Sequence, residues 1–233
     1  MAIIDAYVNP NAAADLASYR SQLGLGAATL TQLNQTGGPI STVGGNAGWG
    51  QQEMLDLEMV SAICKSCAIL YVGAKSASFT DLAAAVDTAA ANGAAVISDS
   101  CGGCSAYITK PSWQHDTACS RRTVADVAAV ADPATGVAVY DSYGSTGGAN
   151  WMVFGGTSVA APIIGAVYAL SGNTAGVPAQ LAYTSAGSLF DVTSGSNGRC
   201  VRGKNTSGAY LCTGGLGYDG PTGNGTPQGT GAF

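Results

Sequence analysis

Residues 154–170 read FGGTSVAAPIIGAVYAL. Ser158 stands where an apolar strand pattern ends in two glycines and a helical run of small apolar residues begins. The first N–H groups of a helix have no intrahelical partner, and the helix dipole favours negative charge at that end. Gly155 and Gly156 allow another backbone, or a substrate, to come close. A serine placed there can act as a nucleophile beside an oxyanion site. The same pattern also suits an ordinary helix N-cap, which Thr157 or Ser158 could supply.

A nucleophilic serine needs a base. The single histidine, His115, lies in the polar segment SWQHDTACSRR. The other candidates are acids of WGQQEMLDLEMVSAI (49–63): Glu53, Asp56 and Glu58. Glu53 and Asp56 are three residues apart and share a helix face. Two neighbouring carboxyls push their pKa values apart and can share a proton. A glutamate base would work in acid, where a histidine is charged. The spacing equally fits a solvated acidic face.

Positioning these groups requires a rigid frame, and the chain reads as alternating elements. AIIDAYV is a strand and NPNAAADLASYRSQLG a helix, capped by Asn9 or Asn11 and stopped by Gly24. Residues 27–48 read as a polar, glycine-rich connection. The helix over 49–63, with apolar residues at helical spacing and acids on the other face, precedes the strand AILYVGA (68–74). SFTDLAAAVDTAAANG is a helix between Ser78 and Gly93, and AAVISDS (94–100) a further strand. This order predicts parallel crossovers and an α/β sheet. TGVAVYDSY and WMVFGG read as later strands, SVAAPIIGAVYALSG as a buried helix, and the chain beyond about 190 as glycine-rich loop. No interdomain linker is evident.

With 233 residues, 46% hydrophobic and 10% charged, the chain can bury a core within one domain. Its net charge of −5 argues against nucleic acid as a partner. No apolar run is long enough to span a bilayer. The start shows no basic or hydrophobic leader, so a signal or pro-segment is expected to lie outside this chain. Seven cysteines are high for a cytosolic enzyme and fit a secreted one. The spacings Cys64/Cys67 and Cys101/Cys104 invite a zinc reading, with structural disulfides as the simpler one. Sequons occur at Asn34, Asn205 and Asn224.

The motifs together resemble the sedolisin family. GGTSVAAP is similar to the nucleophile motif that subtilisins and sedolisins share. GWGQQEMLDLEMVSAI followed by AILYVGA is similar to the sedolisin segment that carries a catalytic Glu and Asp on one helix. AIIDAYVNPN at the start and DVTSGSNG with GLGYDGPTGNGTP at the end add to the match. The resemblance implies a single subtilisin-like domain over residues 1–233, with a mostly parallel sheet flanked by helices. Its segments would be 1–100 with the acid helix, 101–170 with the nucleophile helix, and 171–233 as a calcium-binding tail. It implies peptide hydrolysis in acid through Ser158 as nucleophile, a glutamate as base and Asp56 as its orienting partner. It also implies a Ca²⁺ site formed by Asp191, the Val192 carbonyl, Gly215, Gly217 and Asp219, whose hard oxygens suit that ion.

Two departures stand out. The family places its glutamate four residues before the aspartate, which here is Gln52. Glu53, the nearest acid, is rotated by about 100° round the helix. The oxyanion aspartate and its loop have no counterpart after VISDSCGG, so the domain is expected to be shortened in the middle, with Asp99 or Asp116 as the substitutes at hand. Cys101 falls at that junction and is the expected odd thiol, leaving Cys64–Cys67, Cys104–Cys119 and Cys200–Cys212 as pairs. The resulting expectation is a secreted acid peptidase acting on peptides or proteins through Glu53, Asp56 and Ser158, monomeric, with self-association possible where lost strands expose apolar faces. The alternatives are an impaired or inactive relative that serves as a binding or remnant domain, and a subtilisin-like Asp5–His115–Ser158 triad.

Overall fold

The computed structural model describes residues 1–98, 104–117, 119–145, 150–198 and 209–233. The described elements are β1 (Ala2–Ala6), α1 (Ala12–Gln22), β2 (Thr29–Asn34), α2 (Ala47–Ile63), β3 (Ala68–Ala74), α3 (Phe79–Ala91), β4 (Ile97–Ser98), β5 (Val137–Tyr140), β6 (Trp151–Phe154), α4 (Thr157–Ser171), α5 (Pro178–Thr184), β7 (Leu189–Phe190) and β8 (Thr226–Pro227). They fall into two compact units. The first is Met1–Asp99 with Val130–Leu170, and the second is Ser100–Ala129 with Ser171–Phe233.

The first unit is built on a four-stranded parallel sheet in the order β2-β3-β1-β4. Alternation along the strands sorts its side chains between two faces. Ile3, Ile69 and Tyr71 join Leu16 and Tyr19 of α1 and Met54, Leu55, Leu57 and Val60 of α2 in one apolar cluster. Ala2, Val72 and Ala74 meet Ala85 and Ala89 of α3 in the other. The expected α/β architecture, helices over both faces of a parallel sheet, is what forms. Val139 of β5 and Val159 of α4 complete the first cluster.

The connection expected over 27–48 contains β2, which pairs with β3 along six residues from Thr29 to Asn34. It is an edge strand of mostly Thr, Gln and Asn, so it lacks the apolar signal of a central strand. The two later strands, β5 and β6, form an antiparallel pair of their own rather than joining the parallel sheet. The helix expected to be buried, α4, covers only Val159, Pro162, Gly165 and Ala166, while Leu170 is half exposed. The acids of α2 do not form a solvated face. Glu53, Asp56 and Glu58 are all buried, because α2 is covered on every side from Glu53 to Ser61.

The expected caps are partly realised. Ser78 accepts from the Asp81 amide at 3.2 Å, and Asn46 caps α2 by accepting from Trp49 at 3.1 Å. Asn11 occupies the cap position of α1, but its side chain does not cap the helix; Asn9 Oδ1 accepts from the Asn11 amide instead. The buried Arg20 gathers the carbonyls of Leu25, Gly26 and Lys65, tying together the ends of α1 and α2.

The second unit has little regular structure. Gln114 and Thr123 exchange two hydrogen bonds of 2.8 Å, and Ala128 donates to the Gly225 carbonyl at 2.9 Å. Gly225 has φ +116, and a Cβ there would lie 2.2 Å from the Phe190 carbonyl oxygen, so no other residue fits. Disulfides join Cys64 to Cys67 in the first unit and Cys104 to Cys119 in the second. Cys212 is also disulfide-bonded. Cys200, its expected partner, and Cys101 lie outside the described residues. With Cys64 and Cys104 in disulfides, neither C-x-x-C pair offers two thiolates to zinc.

Candidate active site

Ser158 lies in the first turn of α4, directly after β6 and the Gly155–Gly156 turn. A Cβ on Gly155 would sit 2.4 Å from the Pro133 nitrogen, and Gly156 adopts φ +103. Both positions need glycine: one for close approach, the other for its left-handed backbone. The Gly156 amide donates to the Ala131 carbonyl at 2.5 Å and pins the turn. Four residues beyond Ser158, Pro162 lacks the N–H that would take the Ser158 carbonyl into the helix ladder. Ser158 is half-buried, and its neighbour Val159 is fully buried in the cluster that also holds Leu55 and Leu57 of α2.

α2 presents its polar residues in two directions. Gln52 and Asp56, one turn apart, face each other, and Gln52 Nε2 donates to Asp56 Oδ1 at 3.0 Å. Glu53 turns inward and is fully buried. It accepts from the Asn9 amide at 2.5 Å and from Gln32 Nε2 at 3.3 Å. Burial pushes the Glu53 carboxyl up to about 8; the Asn9 bond opposes this and the nearby charge of Asp5 adds to it. Glu58 behaves alike. Burial takes it up to about 9, against a 2.9 Å bond from the Tyr140 amide and with the charges of Asp15 and Asp141 adding to the rise. Both glutamates hold their protons throughout the acid range.

The partners of Glu53 carried no sequence signal. Asn9 looked like a helix cap, Gln32 lay in an expected connection, and Tyr71, whose hydroxyl donates to the Tyr7 carbonyl at 2.9 Å, sat inside an apolar strand. The other expected residues fall elsewhere. Asp5 is buried in β1 of the first unit, whereas His115 is exposed in the second. Asp99 lies outside the described residues. Asp116 belongs to the second unit, where Lys110, Thr123 and Tyr210 hold one of its oxygens.

Four of the five expected calcium residues are joined in pairs by hydrogen bonds. Asp191 accepts from the Gly217 amide at 2.8 Å, and Asp219 accepts from the Gly215 amide at 2.8 Å. The second oxygen of Asp219 accepts from the amide and hydroxyl of Thr222. Two carboxylates beside glycine-rich backbone offer hard oxygen donors, which fit Ca²⁺ in kind. Among the described residues no group of three or more His, Cys, Asp or Glu side chains converges as a metal site, so backbone carbonyls would have to supply the remaining ligands.

A parallel α/β domain with a serine at a strand–Gly–Gly–helix turn and a buried acid helix is the subtilisin-like class of fold. The comparisons narrow it. Sedolisin of Pseudomonas sp. (strain 101) is 35% identical over 135 residues, which cover 54% of this chain and 21% of that protein. The solved structure of Pseudomonas sedolisin, a serine-carboxyl proteinase complexed with two molecules of pseudo-iodotyrostatin, superposes with a TM-score of 0.72 at 20% identity. That match covers 97% of this chain and 89% of the other. No family model matches the chain. The chain is a relative of sedolisin and has the sedolisin fold, and in sequence it spans about a fifth of that relative's length.

Proposed function

We propose that the chain is a serine-type peptidase domain of the sedolisin kind, acting on peptide or protein substrates in acid. The observation that carries this reading is the turn around Ser158, which the close-packed Gly155, the left-handed Gly156 and Pro162 shape at the start of α4. In this reading Ser158 Oγ attacks the peptide carbonyl, and its proton passes to a carboxylate of α2 and then to the leaving amine. Asp56 is ordered for a supporting part by Gln52. Glu53 would have to leave its bonds to Asn9 and Gln32, and lose its proton, before acting as the base.

That requirement favours a second reading, a peptide-binding relative with hydrolysis strongly impaired. A general base contributes about 10²–10⁴ in rate, and Gln52 cannot supply one. The two readings separate by hydrolysis of a fluorogenic peptide library from about pH 3 to 8, with Ser158→Ala as control. Ser158-dependent turnover with an acid optimum supports the peptidase. A folded wild type without turnover, with Gln52→Glu gaining activity by about 100-fold or more over background, supports the impaired relative. If neither protein cleaves at any pH, the peptidase reading is wrong.

The tail would hold Ca²⁺ through Asp191, Asp219 and the carbonyls of Val192, Gly215 and Gly217, and the ion would brace the loops around it. Calcium should raise the melting temperature of the wild type and leave an Asp191→Asn, Asp219→Asn double variant unchanged. Disulfides in both units support a location outside the reducing cytosol. No described helix is long and apolar enough to cross a membrane. The domain is proposed to act as a monomer.

A further inference from the structure

Glu58 is a buried acid of α2 outside the proposed triad, and it lies where β5 packs on that helix. Its Oε2 accepts from the Tyr140 amide at 2.9 Å. Its Oε1 is buried and has no hydrogen-bond partner among the described residues. The groups that face it from neighbouring elements bring no cation. α1 contributes Asp15 and Tyr19, and the end of β5 contributes Tyr140 and, next to it, Asp141. Arg20 of α1 spends its donors on Ser61 and on the carbonyls of Leu25, Gly26 and Lys65. Asp5 of β1 and Tyr71 of β3 act on Glu53 instead.

The two neighbouring aspartates are well supplied with donors. Asp15 accepts from the amide and hydroxyl of Ser142, and Asp141 from Asn9 Nδ2 and the amides of Tyr143 and Gly144. A charge on Glu58 would have one oxygen without a donor and two acids beside it. A neutral carboxyl suits this place. Burial, with the charges of Asp15 and Asp141 adding to it, holds the proton on Glu58 up to about pH 9 against the Tyr140 bond.

Strand register carries the Tyr140 bond to the nucleophile turn. Tyr140 pairs with Trp151 and Val137 with Phe154, and Gly155, Gly156 and Ser158 follow directly. Val139 of β5 and Val159 of α4 share one apolar cluster with Leu55 and Leu57 of α2. Moving β5 off α2 therefore moves the strand that ends at Ser158. We infer that Glu58 is a positioning residue for Ser158: its uncharged carboxyl holds β5, and through it β6 and the Ser158 turn, against α2, and its ionisation releases them. The inference rests on the peptidase reading for the role of Ser158, and it gives that site an alkaline limit separate from the protonation of its catalytic acids. Trp151 reports on the contact. Its ring lies 5.7 Å from that of Tyr19 and 5.4 Å from that of Tyr140, and its indole N–H donates to Gln22 at 3.1 Å.

The test follows the intact chain from about pH 6 to 10 by fluorine NMR of fluorotryptophan at Trp151 and carbon NMR of Ser158 Cβ, with far-UV circular dichroism alongside. The expected result is that both signals shift together with a midpoint near 9 while the dichroism holds. Glu58→Gln, uncharged at every pH and still able to accept from Tyr140, should lose that step from both signals. Glu53→Gln should keep it. If Glu58→Gln does not fold, the Glu58 carboxyl carbon of the wild type carries the test and must titrate with the same midpoint. The inference is overturned by a step near 9 that persists in Glu58→Gln, by a Trp151 shift without one at Ser158, by the absence of any step, or by collapse of the dichroism at the same midpoint. None of these signals needs turnover, so a chain that hydrolyses no peptide would defeat the peptidase reading and leave this result standing.

Discussion

Buried Glu53 and Glu58 of the first unit and Asp116 of the second are neutralised in opposite ways, while Asp126 of the second is raised by burial as the two glutamates are. In the first, Glu53 and Glu58 lie in the packed interior with backbone amides as donors and acids as charged neighbours. Their carboxyls rise to about 8 and 9 and stay neutral. In the second, burial would also raise Asp116, but Lys110, Tyr210 and Thr123 outweigh it and bring the group below the usual range. Neutralisation by a proton and neutralisation by a cation both make a buried carboxyl tolerable. The first is lost as pH rises and the second as pH falls.

The largest expected effect follows from the first case. Glu53 and Glu58 have folded pKa values above their unfolded ones, so their stabilisation is complete below about 4.5 and declines as pH climbs towards 8–9. Each contributes a slope of about 1.4 kcal/mol per pH unit within that window. Urea unfolding at pH 5 and pH 8 should show the wild type clearly weaker at pH 8, and Glu53→Gln should reduce the difference by about half, leaving the Glu58 contribution. An unchanged profile in Glu53→Gln would mean that Glu53 is ionised in the fold.

Next in size is the staple of the second unit. The first unit has two apolar clusters, whereas the second relies on cross-links and loop hydrogen bonds. Cys104–Cys119 spans 15 residues, and a loop of that length is worth about 3 kcal/mol. Replacing both cysteines by serine should therefore destabilise far more than the same change at Cys64 and Cys67, which are three residues apart. Equal losses in thermal melts would erase the contrast between a core-held and a stapled unit.

The smallest effect concerns Lys110. Asp116 contributes stability above its unfolded pKa that is lost as pH falls through its lowered folded value. Lys110→Met removes the cation and should move the Asp116 titration upward in NMR. An unmoved titration would assign the lowering to Tyr210 and Thr123 alone.

What the sequence determined by itself was set by local chemistry and periodicity. Apolar strands alternating with helices sufficed for the parallel sheet, because β1 and β3 must hide both faces and read as continuous apolar runs. The turn at Ser158 was legible because Gly155, Gly156 and Pro162 are local requirements of backbone geometry. β2 was not legible, since a polar edge strand is defined by the β3 backbone it pairs with. The roles of the α2 acids were not legible either. Helical spacing put Glu53 and Asp56 on one face, but packing against Asn9, Gln32 and Tyr71 buried Glu53, while Gln52 bonds Asp56. Burial and charge neighbours come from segments far apart in sequence, and they fix protonation. For that reason the tertiary structure, not the motif, decided which carboxyls on this helix are free to do chemistry.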